Sequence, residues 1–280
     1  MHSGMRLIHD CGIDFLTQRR KERKDFLRLL IATQRSIMQL QLDEIQVIYF
    51  DLDNTLVDHS GAEKRALQDV LREYPDEFPK NSFKEFAGKY KLINDRMWRE
   101  LAAGEMTAEE LKTHRFIELM GLSPKTDAPD SAFEIGEWYL ERYAKHWRLY
   151  DGVEEALAAA AEITTTGLIS NGFRLQVHGK IKRFSWESTF DHVVISEEVG
   201  IMKPHRGIFD HARQLAGVAK PRHILYVGDH YESDILGASK AGWKTIWLNH
   251  YGVYKPDSAA DVEVGSMTEL AELFESYQRE

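Results

Sequence analysis

Residues 45–57 read IQVIYFDLDNTLV, an apolar run that breaks abruptly into two aspartates, an asparagine and a threonine. Ile45 to Phe50 is rich in β-branched and aromatic residues and too short for a helix. It predicts a strand buried on both faces, the mark of a parallel sheet. From Asp151–Gly152 onward, helix and strand patterns alternate. Helix is expected over 153–162, strand over 166–170 (TGLIS), helix near 174–183 and strand over 192–196 (HVVIS). Helix then follows over 205–216, strand over 223–227 (HILYV), helix over 232–241, strand over 244–248 (KTIWL) and helix over 267–276. Such alternation builds βαβ units, whose right-handed crossovers put helices on both faces of the sheet. The expected fold class is α/β, a Rossmann-like parallel sheet covered on both sides.

The first strand is separated from the others by a long block, 60–147, with helical patterning and no strand signal. Thr107 with Glu110, and Ser131 with Glu134, have capping-box spacing, in which each side chain satisfies a free backbone donor. Pro75, Pro79, Pro124 and Pro129 punctuate the block. The division expected is an α/β core of 44–58 and 149–280, an inserted all-helical cap domain of 59–148, and an N-terminal extension of 1–43, helical or partly disordered. That extension carries a basic cluster, Arg19 to Lys24, and an apolar stripe of Phe26, Leu29, Leu30 and Ile37. It reads as a docked helix, as a start placed upstream of Met38, or as a basic helix facing a membrane or partner.

Composition narrows the function. The net charge of −9 argues against a nucleic-acid polymer as partner, since such binders carry a basic stripe. It also means that any phosphate site must be made locally positive. The single cysteine, Cys11, allows no intrachain disulfide, in keeping with a reducing compartment. No apolar run approaches the ~18 residues that span a bilayer. A cytoplasmic protein without membrane attachment is expected, as a monomer or homodimer.

In open parallel sheets, ligands bind at the carboxyl ends of the strands. Those ends carry Asp51, Asp53 and Thr55 after the first strand, and Ser170, Asn171 and Gly172 after the second. Lys203 follows the third, and Asp229, with Asp234 one helical turn on, follows the fourth. Singly, each has a plain reading. An aspartate after a strand can be a helix N-cap, Ser-Asn-Gly a turn, and a lysine solvated surface. Two acids near each other in the interior are costly without a cation. All four groups in order, each after an expected strand, make a site.

In these motifs the chain resembles the haloacid dehalogenase (HAD) superfamily. Asp51, Asp53 and Thr55 match its first motif, Ser170 its second, Lys203 its third, and Asp229 with Asp234 its fourth. The helical block resembles the family's C1-type cap. Stretches 168–173 (LISNGF), 195–204 (ISEEVGIMKP) and 228–237 (GDHYESDILG) look like the YjjG/YfnB group of nucleoside 5′-monophosphatases. So do the spacings of Trp98, Gly104, Leu111, Arg115 and Phe116 in the cap.

The resemblance implies a phosphatase dependent on Mg²⁺, acting on a small phosphorylated metabolite. Asp51 would be the nucleophile and form an aspartyl-phosphate, splitting a slow hydrolysis into two displacements. Asp53 would act as acid and then base, and Lys203 would neutralise Asp51 and the phosphoryl group. Metal ligands would be Asp51, Asp229, Asp234 and the backbone carbonyl of Asp53. Phosphate oxygens would be held by Thr55, Ser170, Asn171, Gly172 and Lys203. Asp53 favours phosphoryl transfer over dehalogenation, because a halide leaves without needing a proton. The implied substrate is a nucleoside 5′-monophosphate. Alternatives are a sugar phosphate or N-acylneuraminate 9-phosphate, and, further off, a 2-haloacid dehalogenase, a phosphomutase or a non-enzymatic phosphoacceptor. Trp98, Arg96 and Arg115 are the candidate cap contacts. The cap aromatics Tyr90, Trp98, Phe116, Trp138 and Tyr139 suit either base stacking or helix packing. His230 is either a loop residue or a modulator of the metal site.

Overall fold

The structure, a computed structural model, describes residues 40–78, 82–123 and 130–278. The basic cluster and apolar stripe expected in the N-terminal extension, and Met38, Pro79, Pro124 and Pro129, lie outside the described residues. Among the described residues, six parallel strands form one sheet in the order β3-β2-β1-β4-β5-β6. They are β1 (Val47–Phe50), β2 (Thr165–Ser170), β3 (His192–Ile195), β4 (Ile224–Gly228), β5 (Lys244–Leu248) and β6 (Val262–Val264). The first strand is therefore central, flanked by β2 and β4, and the reversal of strand order falls beside it.

Alternation along β1 explains both layers. Ile48 and Phe50 belong to the larger apolar core, which continues into the helical insertion. Val47 and Tyr49 belong to the opposite core, with Ile169, Phe209, Tyr226 and Trp243. Tyr49 is fully buried and donates its hydroxyl to Ala212 O at 2.8 Å, so its polar end is satisfied. Its ring lies where a side chain of the neighbouring strand would otherwise stand. Gly167 pairs with Tyr49 in register, and a β-carbon there would lie 2.3 Å from Tyr49 Cε1.

Among the described residues, four helices are inserted between β1 and the rest: α1 (His59–Glu73), α2 (Phe83–Ala102), α3 (Ala108–Leu119) and α4 (Asp130–Lys145). The two connecting segments run side by side. Asp58 N donates to Arg148 O at 2.9 Å, Tyr150 N to Leu56 O at 3.2 Å, and Val57 and Leu149 form an antiparallel bridge. After them come α5 (Val153–Ile163), α6 (Arg174–Arg183), the short α7 (Ser196–Val199) and α8 (Arg206–Leu215). The fold closes with α9 (Leu236–Lys240) and α10 (Met267–Gln278).

Two local expectations need correction, and two features were not expected. The Thr107–Glu110 capping box is present, but Ser131 lies inside α4. A box that the spacing analysis missed, Ser82 with Glu85, caps α2 instead. The helix expected over 232–241 is two pieces: a π-helical turn over Tyr231–Ile235 and then α9. The sixth strand has only three residues and escaped notice because its exposed Glu263 interrupts the apolar signal.

Gly167→Ala should destabilise the protein by about 1–3 kcal/mol through overlap with the Tyr49 ring, although alanine suits a strand no worse than glycine. The measurement is the urea midpoint at constant m-value. An unshifted midpoint would show that Tyr49 can give way.

Candidate active site

The chain leaves β1 at Asp51, still buried, and enters a tight turn in which Asn54 adopts positive φ (65°). That turn brings Thr55 back beneath Asp51. Thr55 is fully buried; its hydroxyl lies 3.1 Å from Asp51 Oδ2 and 3.3 Å from Asp229 Oδ1, and Asp229 N donates to it at 3.1 Å. Thr55 thus ties the ends of β1 and β4 together under the carboxylates.

Lys203 reaches the same point from the loop after α7. Its Nζ is 2.6 Å from Asp51 Oδ1, 2.8 Å from Asp234 Oδ1 and 2.7 Å from the Tyr226 hydroxyl. Its main chain is held by Asn171. Asn171 Nδ2 donates to Lys203 O at 2.9 Å, and Lys203 N donates to Asn171 Oδ1 at 2.8 Å. Ser170 is buried and its Oγ accepts from Gly172 N at 3.0 Å. A β-carbon on Gly172 would meet that Oγ and Val177 Cγ2 at 3.1 Å, tighter than ordinary packing.

Asp234 sits on the π-helical turn, whose wider winding carries it back toward β4. Such turns recur at functional sites. Its two oxygens are already engaged. Oδ2 accepts from His230 N at 3.0 Å, and Oδ1 faces Lys203 and Ser233 Oγ. His230 itself is exposed, and its Nδ1 accepts from Ser233 N, capping the turn.

One carboxylate oxygen from each of Asp51, Asp229 and Asp234 lies within 4.8 Å of the others. Three carboxylates share one ammonium there, so the cluster carries excess negative charge in a poorly solvated place. Burial pushes Asp51 up to about 7, against the pull of Lys203. Burial, with repulsion from Asp51 and Asp234, pushes Asp229 up to about 8. Burial alone would lower Lys203, but Asp234 and Asp51 outweigh it and hold the ammonium well above its usual value. The cluster is short of positive charge, and its donors are hard oxygens, which suits a small divalent cation.

Asp53 differs. Burial raises its carboxyl, but Lys180 and then His59 outweigh this and hold it below the usual carboxylate range. Lys180 Nζ contacts Asp53 Oδ1, and His59 Nδ1 is 3.9 Å away. The Lys180 side chain is almost fully buried, with Nζ 5.2 Å from the Tyr143 ring centre and 5.4 Å from that of Trp147. Sequence reading missed Lys180, Tyr226 and His59. The signal for Lys180 was a lysine on the apolar stripe of α6, one turn from Val177. The other two gave none.

Asp51, Asp53, Ser170, Asn171, Gly172, Lys203, Asp229 and Asp234 all line one open cleft of about 430 Å³ between sheet and insertion. A larger depression of about 630 Å³ lies along β3 and α8 and holds none of these residues. Among the cap candidates, Trp98 lines the cleft and stacks on Phe173 with ring centres 5.1 Å apart. Arg96 is paired with Glu100 and Glu118 and does not line it. Arg115 is buried between helices, below the cleft. Tyr90, Phe116 and Tyr139 pack on one another inside the insertion, and Trp138 packs edge-on to Tyr74.

Comparison with known proteins gives the family of the chain. The pyrimidine 5′-nucleotidase YjjG of Escherichia coli is 31% identical over 230 residues, covering 81% of this chain and 96% of the relative. Human N-acylneuraminate-9-phosphatase is 29% identical over 245 residues, covering 84% and 96%. In fold, the chain is similar to the magnesium-bound HAD-hydrolase YfnB of Bacillus subtilis, with a TM-score of 0.69 and 22% identity over 82% of this chain and 99% of that one. Among the described residues, no helix is long and apolar enough to cross a membrane. Residues 45–242, which contain every motif of the cleft, match the haloacid dehalogenase-like hydrolases, and the chain belongs to that family.

Proposed function

We propose that this hydrolase is a magnesium-dependent phosphatase that cleaves small phosphate monoesters through an aspartyl-phosphate on Asp51, with nucleoside 5′-monophosphates as substrates. The observation that carries the reading is the charge arrangement around Lys203. A carboxylate that must attack a phosphate dianion needs positive charge beside it, because two like charges 4 Å apart repel by about 4 kcal/mol at an effective dielectric of 20. Lys203 supplies one such charge at 2.6 Å from Asp51.

In the first step an Asp51 oxygen attacks phosphorus and the bond to the leaving oxygen breaks. Asp53 delivers a proton to that oxygen, and the alcohol departs. In the second step Asp53 takes a proton from a water molecule that attacks phosphorus. The Asp51–phosphorus bond then breaks, releasing inorganic phosphate. Lys180 and His59 keep Asp53 ionised in the free protein, the form needed in the second step. The phosphate dianion brought beside it raises its proton affinity for the first. Lys203, the Ser170 hydroxyl and the amides around Asn171 and Gly172 would hold the phosphoryl oxygens. Thr55 and Asp234 act as braces, one under Asp51 and Asp229 and the other against Lys203. Magnesium, held by Asp51, Asp229 and the carbonyl of Asp53, would neutralise charge on the transferring group.

The nucleotide is supported by the YjjG relative, whose name specifies a pyrimidine 5′-nucleotidase. N-acylneuraminate 9-phosphate is the second reading, supported by the human relative over a similar span. The strand-end motifs serve either substrate, so discrimination falls to the insertion.

Asp51→Asn should lower turnover of a phosphate monoester by about a thousandfold or more while the circular dichroism spectrum stays native. Retained turnover would move the nucleophile elsewhere. Metal dependence should be visible without any substrate. Asp51 and Asp229 have raised proton affinity in the folded, metal-free protein, so their contribution to stability is greatest at low pH and is lost as pH rises through about 7 and 8. Magnesium replaces those protons. The rise in melting temperature on adding magnesium should therefore be larger at pH 9 than at pH 6. An equal rise at both would show that the ion does not bind these two carboxylates.

A further inference from the structure

Beyond Asp53 the cleft opens into a narrow recess of about 50 Å³ between the insertion and α6. Asp53, His59, Trp98 and Gly172 line both spaces. The position matters chemically. The alcohol oxygen of a bound ester must lie against Asp53 to receive its proton, so whatever that alcohol carries extends past Asp53 toward the recess.

The recess is lined by polar groups without partners. Arg115 is 5% exposed, and its Nη1 donates to the Tyr90 hydroxyl at 3.1 Å. Its Nε and Nη2 are buried with no hydrogen-bond partner among the described residues. These two N–H groups lie on the same edge of the guanidinium and form its planar two-pronged fork. No carboxylate forms an ion pair with Arg115 among the described residues. The ring of Tyr139 lies 5.0 Å from the guanidinium carbon. Asn94 Oδ1 and Gln176 Oε1, which line the same recess, are also buried without partners. Buried polar atoms left unpaired cost free energy, and their convergence on one space marks a place for a ligand.

The groups are mixed in kind. Arg115 only donates, the amides of Asn94 and Gln176 both donate and accept, and Glu63, which also lines the recess, accepts. A carboxylate would pair with Arg115 but meet repulsion from Glu63. A planar edge that alternates carbonyl oxygens with N–H groups satisfies all of them. The volume admits the edge of a ring, with the rest of the molecule lying in the larger cleft.

We infer that Arg115, Asn94 and Gln176 form a specificity site that reads the carbonyl and N–H edge of a nucleobase of the pyrimidine type, and that Glu63 disfavours acidic leaving groups. This rests on the phosphatase reading above and names the group that its substrate carries.

The test compares kcat/KM for uridine 5′-monophosphate, ribose 5-phosphate and N-acetylneuraminate 9-phosphate, with magnesium, in the full chain. The first two share the sugar phosphate and differ by the base. The wild type should prefer uridine 5′-monophosphate over ribose 5-phosphate by about tenfold or more. Arg115→Met and Gln176→Leu should each reduce that ratio about fivefold or more, mainly through a higher KM for the nucleotide. Gln176 is on α6 and only half buried, so its variant keeps the test valid if Arg115→Met fails to fold. A ratio unchanged in the folded variants overturns the inference, as does a wild type that prefers either of the other two esters. In those outcomes the phosphatase reading stands. Hydrolysis of none of the three, nor of p-nitrophenyl phosphate, would instead sink the phosphatase reading itself.

Discussion

A single ammonium group, Lys203 Nζ, holds the catalytic end of this fold together. It sits within 2.8 Å of Asp51, Asp234 and the Tyr226 hydroxyl, and so links the loops after β1, β3 and β4 at one point. A buried charge is tolerable only when paired and hydrogen-bonded. Each partner of Lys203 is itself anchored: Asp51 through Thr55, Asp234 through His230 N, and Tyr226 through the Ile169 carbonyl at 3.2 Å. Asn171 fixes the main chain of Lys203 from the second strand. The four strand ends are thereby one network. Its leftover negative charge, on hard oxygen donors, suits a small divalent cation.

The second acid of the first motif belongs to a separate system. Asp53 faces Lys180, which contacts the insertion through the rings of Tyr143 and Trp147, and His59, which belongs to the insertion and meets the Tyr143 hydroxyl at 2.6 Å. Asp51 is thus set by the sheet, whereas Asp53 is set where sheet and insertion meet. Trp98 stacked on Phe173, and Lys112 over the same ring at 4.7 Å, join the two parts on the far side of the cleft.

Much of this was legible in the chain. Short apolar runs ending in polar residues marked β1, β2 and β4 and placed Asp51, Ser170 and Asp229 at one edge, because strand ends in a parallel sheet share a side. Other features were not legible, each for a physical reason. Thr55 resembled a phosphate contact in sequence, yet its hydroxyl is enclosed between Asp51 and Asp229. The positive-φ turn at Asn54 folds it inward, and spacing alone cannot report that. Asp234 read as one turn along an α-helix, but the wider π-helical winding changes where its side chain lands. Of the cap aromatics, only Trp98 faces the cleft; helix periodicity does not say which buried face meets another helix and which meets a ligand. Arg96 and Arg115 looked equivalent, and only three-dimensional packing gives one two glutamates and the other none.

The paired segments around Val57 and Leu149 have a bearing on how such a molecule diversifies. The chain leaves the sheet and returns to it through two segments already bonded to each other. A helical insert therefore begins and ends at nearly the same place, the condition under which one folded unit can be carried inside another without disturbing it. An exchange of the entire 59–148 segment for a differently shaped bundle would leave the Lys203 network untouched. New selectivity could then arise as a cassette replacement, with only the surroundings of Asp53 contributed by the segment, His59 and the Tyr143 that holds it, to be supplied anew.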